Sequence, residues 1–175
     1  MNWYVLFIRN GAEDYVLRQL KNHLDSEAYT PFVPLKEYPQ STKGVKSKVR
    51  KTCFPGGYVF LRSSENPEGI IKNVSPLVNG IKDAYYFLSY GDDRGDIAMR
   101  DYERGCIERL LNDEFCMEAS IGFTEGEKVT IISGPLVGME SQVVKINRRK
   151  RTAVVEVPFV GNVRQITLML EVLQK

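Results

Sequence analysis

The spacing of hydrophobic residues in the first part of the chain predicts a strand followed by a helix. Residues 2–9 form a compact apolar run that ends at Asn10-Gly11, which predicts a buried central strand. Residues 13–24 then carry apolar side chains at helical spacing, with acidic residues early and basic residues late. This opening excludes an all-β first domain.

Short, punctuated patterns continue through the middle of the chain. They predict an extended segment at 29–35, an exposed hairpin at 37–50, an aromatic strand at 58–62, helical turns at 67–73 and a helix at 99–111. Tyr102 is expected on the buried face of the last helix. Core packing is the default expectation for the cluster Tyr85-Tyr86-Phe87.

The last third of the chain has the pattern of a small β-barrel. Five short strands joined by tight turns are predicted at 128–132, 141–146, 152–158, 162–168 and 171–173. Periodicity fades just before them, so we predict a first domain at 1–113, a linker at 114–124 and a second domain at 125–175. Gly134-Pro135 and Gly138 predict a rigid turn with a hydrophobic corner.

Charge is strongly segregated, although the formal net charge is only +2. Residues 36–52 carry six Lys and Arg against one Glu, whereas residues 83–118 carry ten acids against four arginines. The predicted turn at 147–151 is densely basic and lies between two apolar strands. Such zones suit a protein that meets phosphate and a protein surface. The lysines of the 37–50 hairpin fit either a solvated edge or an arm that faces phosphate.

Composition argues against several functional classes. The chain is 43% hydrophobic and 26% charged, an ordinary globular balance. It has no apolar run of about 18 residues and no signal peptide, so we expect a cytoplasmic protein without a membrane partner. The three cysteines lack metal-ligand spacing, and His23 is the only histidine. We therefore expect no metal, no cofactor and no catalytic residues: the chain is predicted not to be an enzyme.

Several motifs together resemble the NusG family of transcription factors over nearly the whole chain. The order and spacing of these motifs are specific: Trp3-Tyr4-Val5 before a helix, CFPGGYVF at 53–60, PLVNGI at 76–81, IAMRD at 97–101, and a KOW-type stretch at 126–144 that contains Gly134-Pro135 and Gly138. Gly57 lengthens the family's usual FPGY motif by one residue, which predicts a bulge that re-aims Tyr58.

The resemblance implies a fold and a first partner. The fold is an α+β N-terminal domain, an antiparallel sheet flanked by helices, followed by an all-β SH3-like KOW barrel. The partner is bacterial RNA polymerase, bound at its clamp helices and at the opposite side of its cleft. The resemblance implies Phe54 and Tyr58, with Trp3 or Tyr4 nearby, in the contact with the clamp helices. It implies the segment from Lys72 to Ser75 in the contact with the opposite side of the cleft. Core packing is the alternative for Trp3 and Phe54.

The basic turn suggests a second partner, nascent RNA. Adjacent cations on a turn favour a phosphate backbone, and a hairpin fits a turn better than a flat protein face does. The candidate RNA-binding residues are Lys145, Asn147, Arg148, Arg149, Lys150, Arg151 and Arg164. The chain thus most resembles the specialised LoaP-like paralogues, which are processive antiterminators. A general NusG that couples polymerase to the ribosome or Rho is the alternative, non-template DNA is a further candidate partner, and we expect a monomer.

Overall fold

The computed structural model of the protein describes residues 1–174, so Lys175, the predicted end of the second domain, lies outside the described residues. The helices are α1 Glu13–His23, α2 Pro67–Asn73, α3 Ser75–Asn79 and α4 Asp101–Leu110. The strands up to residue 117 are β1 Asn2–Ile8, β2 Tyr29–Phe32, β3 Leu35–Thr42, β4 Val45–Thr52, β5 Tyr58–Ser63, β6 Ala84–Phe87 and β7 Cys116–Met117. The later strands are β8 Ser120–Glu125, β9 Lys128–Ser133, β10 Val143–Asn147, β11 Thr152–Phe159 and β12 Asn162–Gln174.

These elements divide into two compact units that do not follow chain order. Unit 1 consists of Met1–Val33, Phe54–Arg104 and Phe159–Asn162. Unit 2 consists of Pro34–Cys53, Gly105–Pro158 and the described chain from Val163 onwards. The β3–β4 hairpin therefore belongs to the same unit as most of the barrel strands. The domain bounds expected from the sequence stay a prediction.

Unit 1 is built on an antiparallel sheet with the strand order β2-β5-β1-β6. The β1 strand is central because both of its faces are apolar, and Trp3 through Leu6 are buried together with Ile8. The α1 helix buries Val16 and Leu20, which share one face. The predicted central strand and the helix after it are confirmed.

Packed aromatic rings form the core of unit 1. The Trp3 ring meets Phe32 edge-on at 5.1 Å between centroids, and Phe60 at 6.1 Å. Phe54 stacks on Phe60 at 5.6 Å, and Phe159 lies 4.9 Å from Phe54. Such offset and edge-on pairs add to the stabilisation that comes from burying the ring area.

The α4 helix differs from the prediction, because Tyr102 is 68% exposed and Glu103 is buried instead. The Tyr90 hydroxyl donates a hydrogen bond to Glu103 Oε1, and the Gly161 N–H donates to Glu103 Oε2 at 3.0 Å. A carboxylate is tolerated inside a protein when its oxygens accept hydrogen bonds in this way. Apolar spacing therefore places Ile107 and Leu110 inward correctly, but it is wrong for Tyr102 and does not identify Glu103 as a buried residue.

Unit 2 contains two sheets, with the orders β4-β3-β7 and β10-β11-β12-β8-β9. The second is the predicted SH3-like barrel, but its strands differ from the prediction. The stretch treated as a linker carries β7 and β8, and β8 pairs with both β12 and β9. The two strands predicted at 162–168 and 171–173 are one strand, β12. A 3₁₀ turn at Glu140–Gln142 precedes β10.

The Gly134 turn fixes one corner of the barrel. Gly134 has a φ of +93°, and a Cβ at this position would lie 2.5 Å from Ser120 Cα. Leu136 is fully buried behind the turn, where its N–H donates to Ser120 Oγ at 3.0 Å. Glycine is needed here both for its left-handed backbone conformation and for the close approach of the β8 backbone.

Alanine at Gly134 is therefore expected to lower the free energy of unfolding by about 2–5 kcal/mol, because backbone strain adds to a steric clash. The matched control is Gly126→Ala, since Gly126 also has a positive φ, +65°, but has no atom within 4 Å of an added Cβ. We expect the control to lose only about 1–2 kcal/mol. Denaturant unfolding measures both values, and equal losses would contradict the clash.

Candidate functional site

A strip of aromatic rings crosses three neighbouring strands of the unit 1 sheet, β5, β1 and β6, around Phe7. The Phe7 ring centroid is 5.8 Å from that of Tyr58, 5.3 Å from that of Tyr85 and 5.5 Å from that of Tyr86. The register places Phe7 opposite Tyr58 on β5 and opposite Tyr86 on β6. We call Phe7, Tyr58, Tyr85 and Tyr86 the aromatic strip.

The outer rings of the aromatic strip face solvent, which corrects the core expectation for this cluster. Tyr85 is 45% exposed and Tyr86 is 60% exposed, whereas Phe87 is half-buried and contacts Tyr4. The reason is that β6 is an edge strand whose register against β1 shifts between Phe7 and Ile8. Phe7 pairs with Tyr86 and Ile8 with Ala84, so Tyr85 is a bulged residue and the side chains do not alternate regularly. Neighbouring exposed aromatic side chains are typical of an interaction surface.

A groove of about 780 Å³ runs beside the aromatic strip. Tyr85 and Tyr86 line one side, and Ile71 and Ser75, from α2 and α3, line the other. Arg94 is the charged residue among the lining residues that the structure describes. The groove is thus mainly apolar, with polar groups at its margin, which is the chemistry of a site for a protein segment.

The polymerase-contact residues expected from the sequence lie at different depths. Trp3, Tyr4 and Phe54 are buried, with exposures of 2%, 0% and 4%. Burial raises the pKa of the Tyr4 phenol, and its hydroxyl donates to the Glu65 carbonyl oxygen at 2.5 Å. These three side chains therefore support the sheet from inside. Tyr58 is half-buried, and among the expected polymerase-contact residues it is the one that belongs to the aromatic strip.

The other two expected residues lie near the groove. Ser75 is half-buried at the start of α3 and lines the groove directly, and Lys72 is exposed in the last turn of α2. The bulge expected from the extra Gly57 is absent from the β1–β5 ladder, where Tyr58 pairs with Phe7 in regular register. Gly57 instead lets the turn approach β1, since a Cβ there would lie 2.7 Å from the Ile8 carbonyl oxygen.

The basic turn of unit 2 has a fixed backbone and exposed side chains. Asn147 Oδ1 accepts a hydrogen bond from the Lys150 N–H at 2.9 Å, an Asx-type turn. Arg148, Arg149 and Lys150 are exposed, whereas Arg151 is half-buried with a φ of +56°. We call Asn147 to Arg151 the basic turn. Because the Asn147 side chain and not the cationic side chains holds the shape of the turn, the cations are available to an external anion.

The remaining RNA-binding candidates lie on the strands beside the turn. Lys145 is exposed on β10, the strand that leads into the basic turn. Arg151 Nη2 donates to the Gln40 carbonyl oxygen of the β3–β4 hairpin at 3.4 Å. Arg164 is half-buried on β12. The structure therefore brings Lys145 and the basic turn together with the hairpin.

Sequence reasoning missed Phe7 and the outward role of Tyr85 and Tyr86. The available signal was the run of three aromatic residues, because such a run on an edge strand must expose at least one of them. Within residues 1–174, no three His, Cys, Asp or Glu side chains are grouped to hold a metal ion, and no helix there is long and apolar enough to cross a membrane.

The chain combines an antiparallel sheet flanked by helices with an SH3-like barrel that contains a glycine–proline turn. This is the architecture of the N-terminal and KOW domains of NusG-like transcription factors. The family described as "Transcription termination factor nusG" matches residues 1–105. This match covers more than half of the chain. The chain belongs to the NusG family.

Two individual relatives are distant but match over almost their whole length. The transcription termination/antitermination protein NusG of Thermus thermophilus is 24% identical over 176 residues, which covers 96% of this chain and 95% of the relative. The protein of the same name from Helicobacter pylori J99 is 20% identical over 180 residues, which covers 100% and 98%. A solved structure titled "Domain interaction in Thermotoga maritima NusG" aligns with a TM-score of 0.53 at 22% identity, covering 97% of this chain and 93% of that one. This likeness supports the fold.

Proposed function

We propose that this NusG-family protein is a transcription elongation factor and processive antiterminator of the LoaP-like kind, acting in the cytoplasm. In this proposal unit 1 binds bacterial RNA polymerase and the basic turn of unit 2 binds nascent RNA. The observation that carries it is the basic turn, whose Arg148, Arg149 and Lys150 are exposed on a fixed backbone.

The aromatic strip and its groove form the proposed polymerase surface. Aromatic side chains supply most of the hot spots in protein interfaces, and Tyr58, Tyr85 and Tyr86 present theirs around Phe7. We assign the clamp helices of polymerase to this surface. Because Ser75 lines the same groove, we assign Ser75 and Lys72 to its margin rather than to the opposite side of the cleft. Trp3, Tyr4 and Phe54 contribute from beneath, by holding β1 and β5 in place.

The basic turn forms the proposed RNA surface, with an RNA hairpin as the preferred ligand. Its cations project from a tight turn that joins β10 to β11, so they reach a curved phosphate backbone more readily than a flat protein face. Lys145 extends this surface along β10. Arg151 is partly engaged with the hairpin, and Arg164 lies further along β12, so both have smaller assigned roles.

The salt dependence of binding tests whether the partner of the basic turn is RNA. With Lys145, Arg148, Arg149 and Lys150 on phosphates, affinity for a hairpin RNA is expected to fall about 50- to 150-fold between 50 and 200 mM salt. Fluorescence anisotropy with the full chain measures this dependence. A change of less than about threefold, or salt-resistant capture of a ribosomal protein in its place, would contradict the proposal and favour a general coupling factor.

A further inference from the structure

The β3–β4 hairpin of unit 2 has two faces of different electrostatic character. On one face Glu37 lies beneath two cations, and Lys48 Nζ is 2.6 Å from Glu37 Oε2. Arg50 on the same face is paired with Glu114 at 2.5 Å. These pairs neutralise the charges of Lys48 and Arg50. The opposite face carries Tyr38, and we call it the Tyr38 face.

On the Tyr38 face, two lysines lie directly opposite each other in the ladder. The register pairs Lys36 with Lys51, an arrangement that is unfavourable for like charges. Their ammonium groups lie 5.2 Å and 4.4 Å from the centroid of the Tyr38 ring. Burial, together with the charge of Lys51, lowers the pKa of Lys36. No ion pair of the described residues involves Lys51, so its charge is unneutralised.

The Tyr38 face is tied to the barrel of unit 2. Lys36 Nζ donates to the Thr167 carbonyl oxygen on β12 at 2.5 Å, and Arg151 reaches the Gln40 carbonyl oxygen. These two bonds hold the Tyr38 ring against the surface that carries the basic turn. Tyr38 itself is half-buried, so part of its ring remains accessible.

A cleft of about 210 Å³ lies between the Tyr38 ring and the barrel. It is lined by Tyr38, Lys145, Asn147, Lys150, Thr152 and Val154, with Thr167 at its base. The volume is below the range of about 300–1,000 Å³ typical of sites for whole small molecules, so it suits a single flat group. The lining combines an aromatic face, an apolar side, an amide and two lysines, and it contains no acid among the described residues.

We propose that this cleft is a subsite for one unpaired nucleotide, with the base stacked on Tyr38 and the flanking phosphates on Lys51, Lys145 and Lys150. Stacking on an aromatic ring beside a positively charged groove is the general way in which proteins bind single strands. The subsite rests on the proposed RNA role of the basic turn. It extends that role. A nucleotide next to the bound RNA hairpin would enter the cleft, and one wall of this cleft is formed by the β3–β4 hairpin of the protein.

Ultraviolet cross-linking of the full chain to a short oligouridylate tests the placement. Tryptic cleavage after Lys36 and Lys43 gives the peptide 37–43, in which Tyr38 is the only aromatic residue. We expect a uridine adduct on this peptide. A parallel reaction with an oligothymidylate distinguishes RNA from single-stranded DNA as the source of the nucleotide, and adducts on 37–43 with either strand support the subsite. If neither the RNA nor the DNA strand forms an adduct on the peptide 37–43, the proposed subsite is overturned.

Substitution gives an independent measurement. Tyr38→Ala is expected to weaken oligouridylate binding about 5- to 100-fold, whereas Tyr38→Phe keeps the stacking ring and stays within about twofold of the wild type. Lys145→Gln, which leaves the ring in place, is expected to reduce the salt slope by about one. An unchanged oligouridylate affinity in Tyr38→Ala would contradict the proposed subsite.

The Arg148→Glu, Arg149→Glu, Lys150→Glu variant, measured in parallel, separates the two proposals. If it binds RNA as well as the wild type does, the proposed RNA function of the basic turn is wrong. If it loses RNA affinity while Tyr38→Ala and Lys145→Gln keep theirs, the basic turn stands and only the nucleotide subsite fails. Loss in all three variants supports both.

Discussion

Replacing Tyr85 and Tyr86 together with alanine is expected to weaken binding to bacterial RNA polymerase by about 100-fold or more. The two residues are 45% and 60% exposed, so their removal takes apolar area and ring contacts from an interface and little from the core. Phe7 remains in place beneath them, which leaves a shallower surface. Biolayer interferometry with immobilised polymerase measures the affinity, and thermal unfolding checks that stability is unchanged.

The chain offers a matched control for this result. Tyr102 is also exposed, and it lies on α4 rather than on the aromatic strip. Tyr102→Ala is expected to bind polymerase with wild-type affinity. If the double variant binds as tightly as this control, the polymerase contact lies elsewhere on unit 1. If both variants bind weakly, exposed tyrosines in general contribute, and the aromatic strip has no special role.

Local sequence rules predict the parts of the fold that local physics determines. The α2 helix begins where expected, because Asn66 Oδ1 accepts the Gly69 N–H at 2.9 Å and Pro67 occupies the first helical position. The predicted β3–β4 hairpin around Gly44 is also confirmed, because it too depends on local sequence. Its exposed, alternating residues need no tertiary partner to define the turn.

The rules fail where tertiary pairing decides the structure. Residues 120–125 have weak periodicity of their own, yet they form β8 because β12 and β9 pair along both of its edges. In the same way β12 continues through residues 169–170, where two separate strands were expected, because Leu170 pairs with Ser120. Pairing across about 50 residues of sequence leaves little mark on either segment alone.

The same distinction between local and tertiary determinants applies to the candidate site. The basic turn is evident from sequence because four adjacent cations between two strands are rarely buried. The depth of an aromatic residue is not evident, because Trp3, Phe54 and Tyr85 have similar chemistry and differ only in position on the sheet. Trp3 lies on the central strand and Tyr85 on the edge, so topology decides which ring a partner can reach.

Charge reversal of the basic turn is the second change with a large expected effect. In the variant that carries Arg148→Glu, Arg149→Glu and Lys150→Glu, affinity for a hairpin RNA is expected to fall by about 100-fold or more, because three phosphate contacts become repulsions. Asn147 and Arg151 are retained, so the turn keeps its backbone shape. The affinity of this variant for polymerase is expected to stay at the wild-type level. Competition binding on the same sample measures that affinity.

A control with the same change in net charge distinguishes local contacts from general repulsion. Lys21, Lys82 and Lys128 are exposed outside the basic turn, so the variant with glutamate at all three has the same total charge as the turn variant. We expect this control to lose only a few-fold in RNA affinity, through weaker long-range attraction. Equal losses in the two variants would mean that RNA senses only the total charge. A loss confined to the turn variant assigns the RNA contact to Arg148, Arg149 and Lys150, because only those cations lie on a backbone fixed to present them together.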